Sequence, residues 1–220
     1  MHRAYELLVF DWDGTLMDSE SRIVNCMRAA IMDLGLALPA DSCISNIIGL
    51  GLKEAICMLF PAADETMVKE LTARYRHHFI FENSTPMPLF SGAKELLHAL
   101  KAEGYLLAVA TGKGRPGLDK ALSNTGLDEV FHVTRCADEA FSKPHPDMLL
   151  QILDELGVQA ADALMIGDTE YDMQMANSAG TAALAVSYGV HSMERLLQHE
   201  PEGCLAAISE VSDWLLGRAS

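Results

Sequence analysis

The chain has 220 residues, half of them apolar, enough to bury a core and to hold one large domain or a domain with a smaller insertion. Its 31 acidic residues outnumber 16 basic ones, a formal charge of −15, which disfavours an extended nucleic-acid or anionic-membrane surface but leaves room for a small anion held by a few converging cations. No run of about eighteen apolar residues occurs, and the five cysteines are scattered, odd in number and free of any CxxC pair, which predicts reduced thiols in a cytoplasmic chain with no leader or membrane span.

The first element is "LLVF" at 7–10, a short apolar run suited to a strand buried on both faces, and it ends at Asp11, the first acid in "LLVFDWDGTLMDSE". From about 18 to 85 helical patterns follow one another without a convincing strand. "SESRIVNCMRAAIMDLG" spaces Ile23, Met27, Ala30, Ile31 and Leu34 along one face, and "LKEAICMLF" and "ETMVKELTARYRHHFIFE" continue in kind until Pro86 and Pro88. Beyond about residue 88, strand candidates at 105–111, 130–134, 163–168 and 181–187 alternate with helical patterns at 92–104, 117–126, 146–157 and 171–180. Each of those helices ends at a glycine. The tail "VSDWLLGRAS" reads as a terminal helix that frays. The alternation predicts an α/β fold, a Rossmann-like parallel sheet with helices on both faces, and the block between the first strand and the rest reads as an inserted all-helical cap. The expected division is 1–17 with 86–220 as core and 18–85 as cap.

In an open α/β sheet ligands sit beyond the carboxyl ends of the strands, and the reactive side chains of this sequence fall there. Strand one delivers Asp11 and Asp13, "LLAVA" delivers Thr111, Gly112 and Lys113, and "ALMI" delivers Gly167 and Asp168, with Asp172 one turn later. Lys143 stands in the loop "FSKPHPD". Two carboxylates aimed into one pocket repel severely unless a cation lies between them. A hard divalent ion such as Mg²⁺ suits oxygen ligands from Asp11, Asp13 and Asp168. The Thr111 hydroxyl, backbone N–H groups beside Gly112 and Gly14, and the Lys143 ammonium would then donate to an anion held against the metal, and phosphate fits such a set. In those roles Asp11 is a nucleophile that forms an aspartyl-phosphate, Asp13 is the general acid and then the general base, and Asp172 orients Lys143 or metal-bound water.

These residues resemble the haloacid dehalogenase superfamily of phosphohydrolases from about residue 7 to 190. The first motif, DxDx[TV], is Asp11-Trp12-Asp13-Gly14-Thr15, the second is Thr111, the third is Lys143, followed by "KPxPD", and the fourth, GDxxxD, runs from Gly167 to Asp172. The chain looks most like the phosphoglycolate-phosphatase-like branch. The resemblance implies a Rossmann-like core, a helical cap after the first motif, and Mg²⁺ held by Asp11, the backbone carbonyl of Asp13 and Asp168. Dehalogenating members lack the second acid, so Asp13 favours phosphoryl transfer. Mutases of the β-phosphoglucomutase type share the first motif, but those usually carry a further acid where "IGDTEYD" has its Gly. Many phosphatases of this branch carry Asn after the second-motif Thr or Ser, whereas Gly112 stands here, and Lys113 and Arg115 are candidates to replace part of its role.

The expected function is therefore a Mg²⁺-dependent phosphatase of a small phosphate monoester, phosphoglycolate-like or a sugar phosphate. The alternatives are a mutase, a pyrophosphatase or a phosphate-binding regulator without turnover. In the cap, "GLGLKEAI" at 49–56 could bring backbone N–H groups and Lys53 over the site, or could be a loop with a solvated Lys. Arg74, Arg76, His77 and His78 read first as a solvated helix face, and the methionines of "MQMANSAG" as core. The sequence leaves the oligomeric state open.

Overall fold

The computed structural model describes residues 4–217. Its strands are β1 (Leu7–Phe10), β2 (Leu106–Thr111), β3 (Val133–Cys136), β4 (Ala163–Gly167), β5 (Ala182–Val186) and β6 (Cys204–Leu205). All pair in parallel, in the spatial order β3-β2-β1-β4-β5-β6. β1 lies at the centre, Leu7 opposite both Leu106 and Ala163, and all four of its residues are buried. A strand with both faces covered cannot alternate apolar with polar, which explains the unbroken "LLVF".

The helices of the core are α5 (Ala93–Ala102), α6 (Arg115–Thr125), α7 (Asp147–Leu156), α8 (Glu170–Ala179), α9 (Met193–Leu197) and α10 (Val211–Leu216). The two sheet faces are packed differently. Leu8, Phe10, Leu107, Val109, Leu164 and Ile166 face leucines of α5 and α6. On the other face Leu7, Val9, Ala108, Ala110, Ala163 and Ala183 meet Met148 and Ile152 of α7 and Met173 and Met175 of α8. Small strand residues against long flexible ones fill that layer, so the α8 methionines are core, as expected.

Between β1 and α5 lie four helices: α1 (Glu20–Asp33), α2 (Asp41–Asn46), α3 (Leu52–Leu59) and α4 (Glu65–His77), the last continuing into a π-helical turn at His78–Glu82. Ile23, Met27, Ala30 and Ile31 of α1 form one cluster with Ile44, Ile48, Ile56 and Leu71, and Leu34 packs at its edge. The inserted helical cap thus has a core of its own. Its entry and exit segments lie side by side: Asp18 N–H donates to the Pro88 carbonyl at 2.9 Å, and Phe90 N–H to Leu16 at 3.0 Å. Asp18 therefore marks the way into the cap.

Two expectations shift. The third strand runs over 133–136 rather than 130–134, because Val130 is drawn into the leucine layer and pairing with β2 begins at Val133 opposite Ala108. β6 is unforeseen, a two-residue edge strand beside Ala185 and Val186 that is too short to carry a pattern. The terminal helix is present as α10, while 218–220 lie outside the described residues. Among the described residues, no helix is long and apolar enough to cross a membrane, and all five cysteines are unpaired.

Candidate active site

Asp11 follows β1, Thr111 ends β2, and Asp168 follows β4, so neighbouring strands deliver all three to one end of the sheet. The turn after β1 closes on itself, Met17 N–H donating to the Trp12 carbonyl at 2.9 Å and Gly14 N–H to Met17 at 2.9 Å. Gly14 has φ +85°, and a Cβ there would lie 2.2 Å from Asp168 Oδ2. Only glycine lets this turn press against the fourth-motif carboxylate.

Lys143 reaches in from the loop before α7 with a fully buried side chain. Its Nζ lies 2.7 Å from Asp11 Oδ1 and 2.6 Å from Asp172 Oδ1. These are close ion-pair contacts, and Asp11 Oδ2 has no hydrogen-bond donor. Asp172 has two tasks. Its Oδ2 accepts from Thr169 N–H at 3.1 Å and Thr169 Oγ1 at 2.7 Å, closing a capping box on α8, while its Oδ1 faces Lys143. Asp168 accepts from Thr15 Oγ1 at 2.7 Å and from Val190 N–H at 2.8 Å.

Burial pushes the Asp11 carboxyl well above the usual carboxylate range; Lys143 pulls it back, and Asp172 and Asp168 push it further up. Asp168 is raised to about 7, by burial first and by Asp172 next, against the Val190 and Thr15 donors and Lys143. Burial by itself would lower Lys143, but Asp11 and Asp172 outweigh it and hold the ammonium above its ordinary range. With all three carboxylates ionised, the single ammonium leaves an excess of two negative charges, the charge that a divalent cation would balance. Carboxylate oxygens of Asp11, Asp168 and Asp172 lie within 4.8 Å of one another, the one such cluster of acidic, His or Cys groups among the described residues. Undonated oxygens, mutual proximity and a hard donor set all fit an Mg²⁺-like ion.

Asp13 is turned elsewhere. Its Oδ1 accepts from Ser19 Oγ at 2.6 Å and pairs with Lys113 Nζ at 2.8 Å. Its side chain is thus outside the three-carboxylate cluster and lines a cavity of about 530 Å³ between cap and core. Ile23, Met27, Ile48, Tyr75 and Phe79 line the cap side of that cavity, and Gly112 and Lys113 the core side. Phe79 lies over Lys113, its ring centroid 5.0 Å from Nζ. Thr111 is fully buried, and its Oγ1 accepts from Lys113 N–H at 3.2 Å.

The 49–51 loop of the cap presses on the loops that carry the motifs. Gly51 N–H donates to Ser142 Oγ at 2.7 Å, beside Lys143. A Cβ on Gly112 would lie 2.4 Å from the Leu50 carbonyl oxygen and 2.7 Å from that of Gly49. The missing side chain after Thr111 therefore has a physical reason, since the cap backbone occupies its space. Next to this contact Ile47, Leu50 and Ala55 of the cap cluster with Tyr171 of α8, whose hydroxyl donates to the Asn46 carbonyl at 2.9 Å.

Lys53 lines the cavity but is exposed, as is Arg76. Arg74 is exposed too, His78 pairs with Asp33 at 2.8 Å, and His77 lies 3.3 Å from Glu82. Arg115 is held away from the carboxylates by Glu139 at 2.7 Å and by Thr134. Of the two candidates to stand in for a side chain at Gly112, only Lys113 reaches the acids. Three partners were not foreseen in their roles. Thr15 is a motif residue that meets Asp168, Ser19 holds Asp13, and Val190 supplies a backbone donor that no side chain advertises.

The family model described as haloacid dehalogenase-like hydrolase matches residues 8–186. The protein of Dickeya dadantii named "Probable phosphatase IndB" is 37% identical over 211 residues, covering 93% of this chain and 91% of that one. The phosphoglycolate phosphatase of Rhodospirillum rubrum is 30% identical over 223 residues, covering 94% and 90%. Among solved structures, a haloacid dehalogenase-like family hydrolase from Streptococcus pneumoniae superposes with a TM-score of 0.82 at 25% identity, covering 96% of this chain and 98% of that one. With four motifs gathered at one end of a parallel sheet under a helical cap, the chain belongs to the haloacid dehalogenase-like hydrolases, in their phosphoglycolate-phosphatase-like branch.

Proposed function

We propose that the chain is a Mg²⁺-dependent phosphatase that hydrolyses a small phosphate monoester through an aspartyl-phosphate on Asp11. In this reading 1–17 and 86–220 form the catalytic core, 18–85 the cap, and the protein works in the cytoplasm. The supporting observation is the state of Asp11: fully buried, Oδ2 without a donor, Oδ1 facing the Lys143 ammonium at 2.7 Å, and two further carboxylates close by. A nucleophile needs free lone pairs, and a carboxylate kept only as a structural anchor would be hydrogen-bonded.

Asp11, Asp168 and the Asp13 backbone carbonyl would hold the ion, with Asp172 at its edge. Bound there, Mg²⁺ would neutralise phosphate charge and orient the ester. Lys143, the Thr111 hydroxyl and the backbone N–H beside Gly112 hold the phosphate oxygens. An Asp11 oxygen attacks phosphorus as the bond to the leaving oxygen breaks, and Asp13 donates its proton to that oxygen. Both contacts of Asp13 fall on Oδ1, so Oδ2 is the atom that carries the proton. Asp13 then takes a proton from water, the water oxygen attacks phosphorus, and Asp11 is released with inorganic phosphate. Asp172 keeps Lys143 in place, and the cap roofs the site against bulk water.

Hydrolysis of p-nitrophenyl phosphate, with Mg²⁺ and with chelator, tests this. The expected result is metal-dependent release that Asp11→Asn lowers by about 10³-fold or more in kcat. Asp11→Asn turning over like the parent would remove the nucleophile from the scheme.

A further inference from the structure

The cavity beyond Asp13 is far larger and more apolar than a two-carbon acid requires. At about 530 Å³ it falls within the roughly 300–1,000 Å³ range of pockets that enclose drug-sized ligands. Its wall beside the acid is built from Ile23 and Met27 of α1, Ile48 after α2, Tyr75 near the end of α4 and Phe79 of the π-helical turn that follows it. Glycolate as leaving group would bring a carboxylate into this space, next to the Asp13 carboxylate. Lys113 rests against Phe79 and lies 2.8 Å from Asp13, and the carboxylates of Glu54 and Asp138 line the same space. Lys143 is committed to Asp11 and Asp172. The other lining cations, Lys53 and Arg76, are at exposed positions. A buried anion without its own cation is costly, whereas apolar surface placed against these side chains is favoured in proportion to its area.

The 49–51 loop lines the cavity where its backbone rests on Gly112, a core residue that has no side chain. Because the Leu50 and Gly49 carbonyls lie where a Gly112 Cβ would be, no amide at that position can reach out to a polar leaving group. Selection then falls to the apolar wall. We infer that, given the phosphatase reading, this cavity takes the alcohol portion of the ester and that its preferred alcohol is a bulky, mainly apolar one of aryl or branched-alkyl type, not a short carboxylic acid.

Two non-hydrolysable phosphonates separate this inference from the catalytic reading, because binding is read whether or not turnover occurs. Calorimetric titration of the Mg²⁺-loaded protein with 2-phenylethylphosphonate, the isostere of benzyl phosphate, should give a Kd at least tenfold lower than titration with 3-phosphonopropionate, the isostere of 2-phosphoglycolate. The kcat/KM ratio of benzyl phosphate to 2-phosphoglycolate should favour the former by a similar factor. Thr72→Trp, which fills the cavity from a half-buried position on α4, should reduce both ratios by about tenfold. Equal or tighter binding of 3-phosphonopropionate overturns the inference and leaves the phosphatase reading standing. Tighter 2-phenylethylphosphonate with no turnover of either ester supports the pocket assignment and overturns the phosphatase reading. Binding of neither overturns both.

Discussion

Two chambers meet at Asp13. On one side lies a closed polar chamber in which Asp11, Asp168, Asp172 and Lys143 are fully or almost fully buried and tied to β1, β4, α8 and the loop before α7. On the other lies the apolar cavity, whose wall comes mostly from the cap and whose charged residues, apart from the Asp13–Lys113 pair, stand at exposed positions. The first is built at the ends of packed strands with Lys143 and Asp172 buried against them, and its clustered carboxylates favour a metal. The second belongs to a helical layer with a separate core, joined to the sheet by two neighbouring segments at 16–18 and 88–90. Chemistry and selectivity can therefore vary independently, since few side chains serve both.

Substitutions in the polar chamber should have the larger effects. Lys143→Met removes the one ammonium among three buried carboxylates, and breaking such a group is expected to cost about 3–5 kcal/mol in urea unfolding, along with turnover. An unchanged unfolding midpoint would mean that the buried carboxylates are protonated and need no partner. At the seam between the chambers, Gly112→Asn should push the Leu50 and Gly49 carbonyls away and lift the cap loop. The expected result is a loss of roughly 10–100-fold in kcat/KM, with the melting temperature of the sheet core little changed.

The charge in the polar chamber also sets a pH dependence. Asp168 titrates at about 7 in the folded chain, above the ~3.9 of an unfolded Asp, so the folded state binds that proton more tightly. The stability this contributes is complete below about pH 4 and is lost as pH rises through about 7, and raised Asp11 acts in the same direction. Metal-free protein should therefore melt several degrees lower at about pH 8 than at about pH 5. Asp168→Asn should flatten that slope, and added Mg²⁺ should recover more at the higher pH. A flat profile in the metal-free parent would contradict the buried-charge account. The smallest effect is expected in the cavity mouth, where exposed Lys53 should tolerate Ala with less than about a threefold change in KM.

The polar chamber was largely legible in the amino-acid order. Asp11, Thr111 and Asp168 each follow or end a strand whose apolar pattern marks it, so sheet topology carries them to one place, and Lys143 joins them from the loop before α7. Asp172 is legible as an orienting acid, and its Oδ1 faces Lys143, while the capping role of its Oδ2 on α8 appears only in the structure. The cavity was less legible. Ile23 and Met27 were recognised as one face of a helix, but that face turns partly into the cap core and partly toward Asp13, and spacing alone does not divide them. Ser19 follows Asp13 in the turn out of β1 and Lys113 follows β2, and nothing local to either announces that they share one oxygen.

The sequence by itself determined the parallel sheet, the helical insertion and the order of the reactive residues, because short apolar runs, helical periodicity and terminal glycines are local properties of the backbone and side chains. Tertiary structure alone decided which way each acid faces. Asp11 and Asp13 are separated by one residue, yet one carboxylate is enclosed with Lys143 and the other is drawn to Ser19 and Lys113. Tertiary structure also decided that Gly112 is the floor on which the cap loop rests. Both outcomes depend on contacts between segments far apart in the chain, where close packing and buried charge, not local propensity, set the free energy.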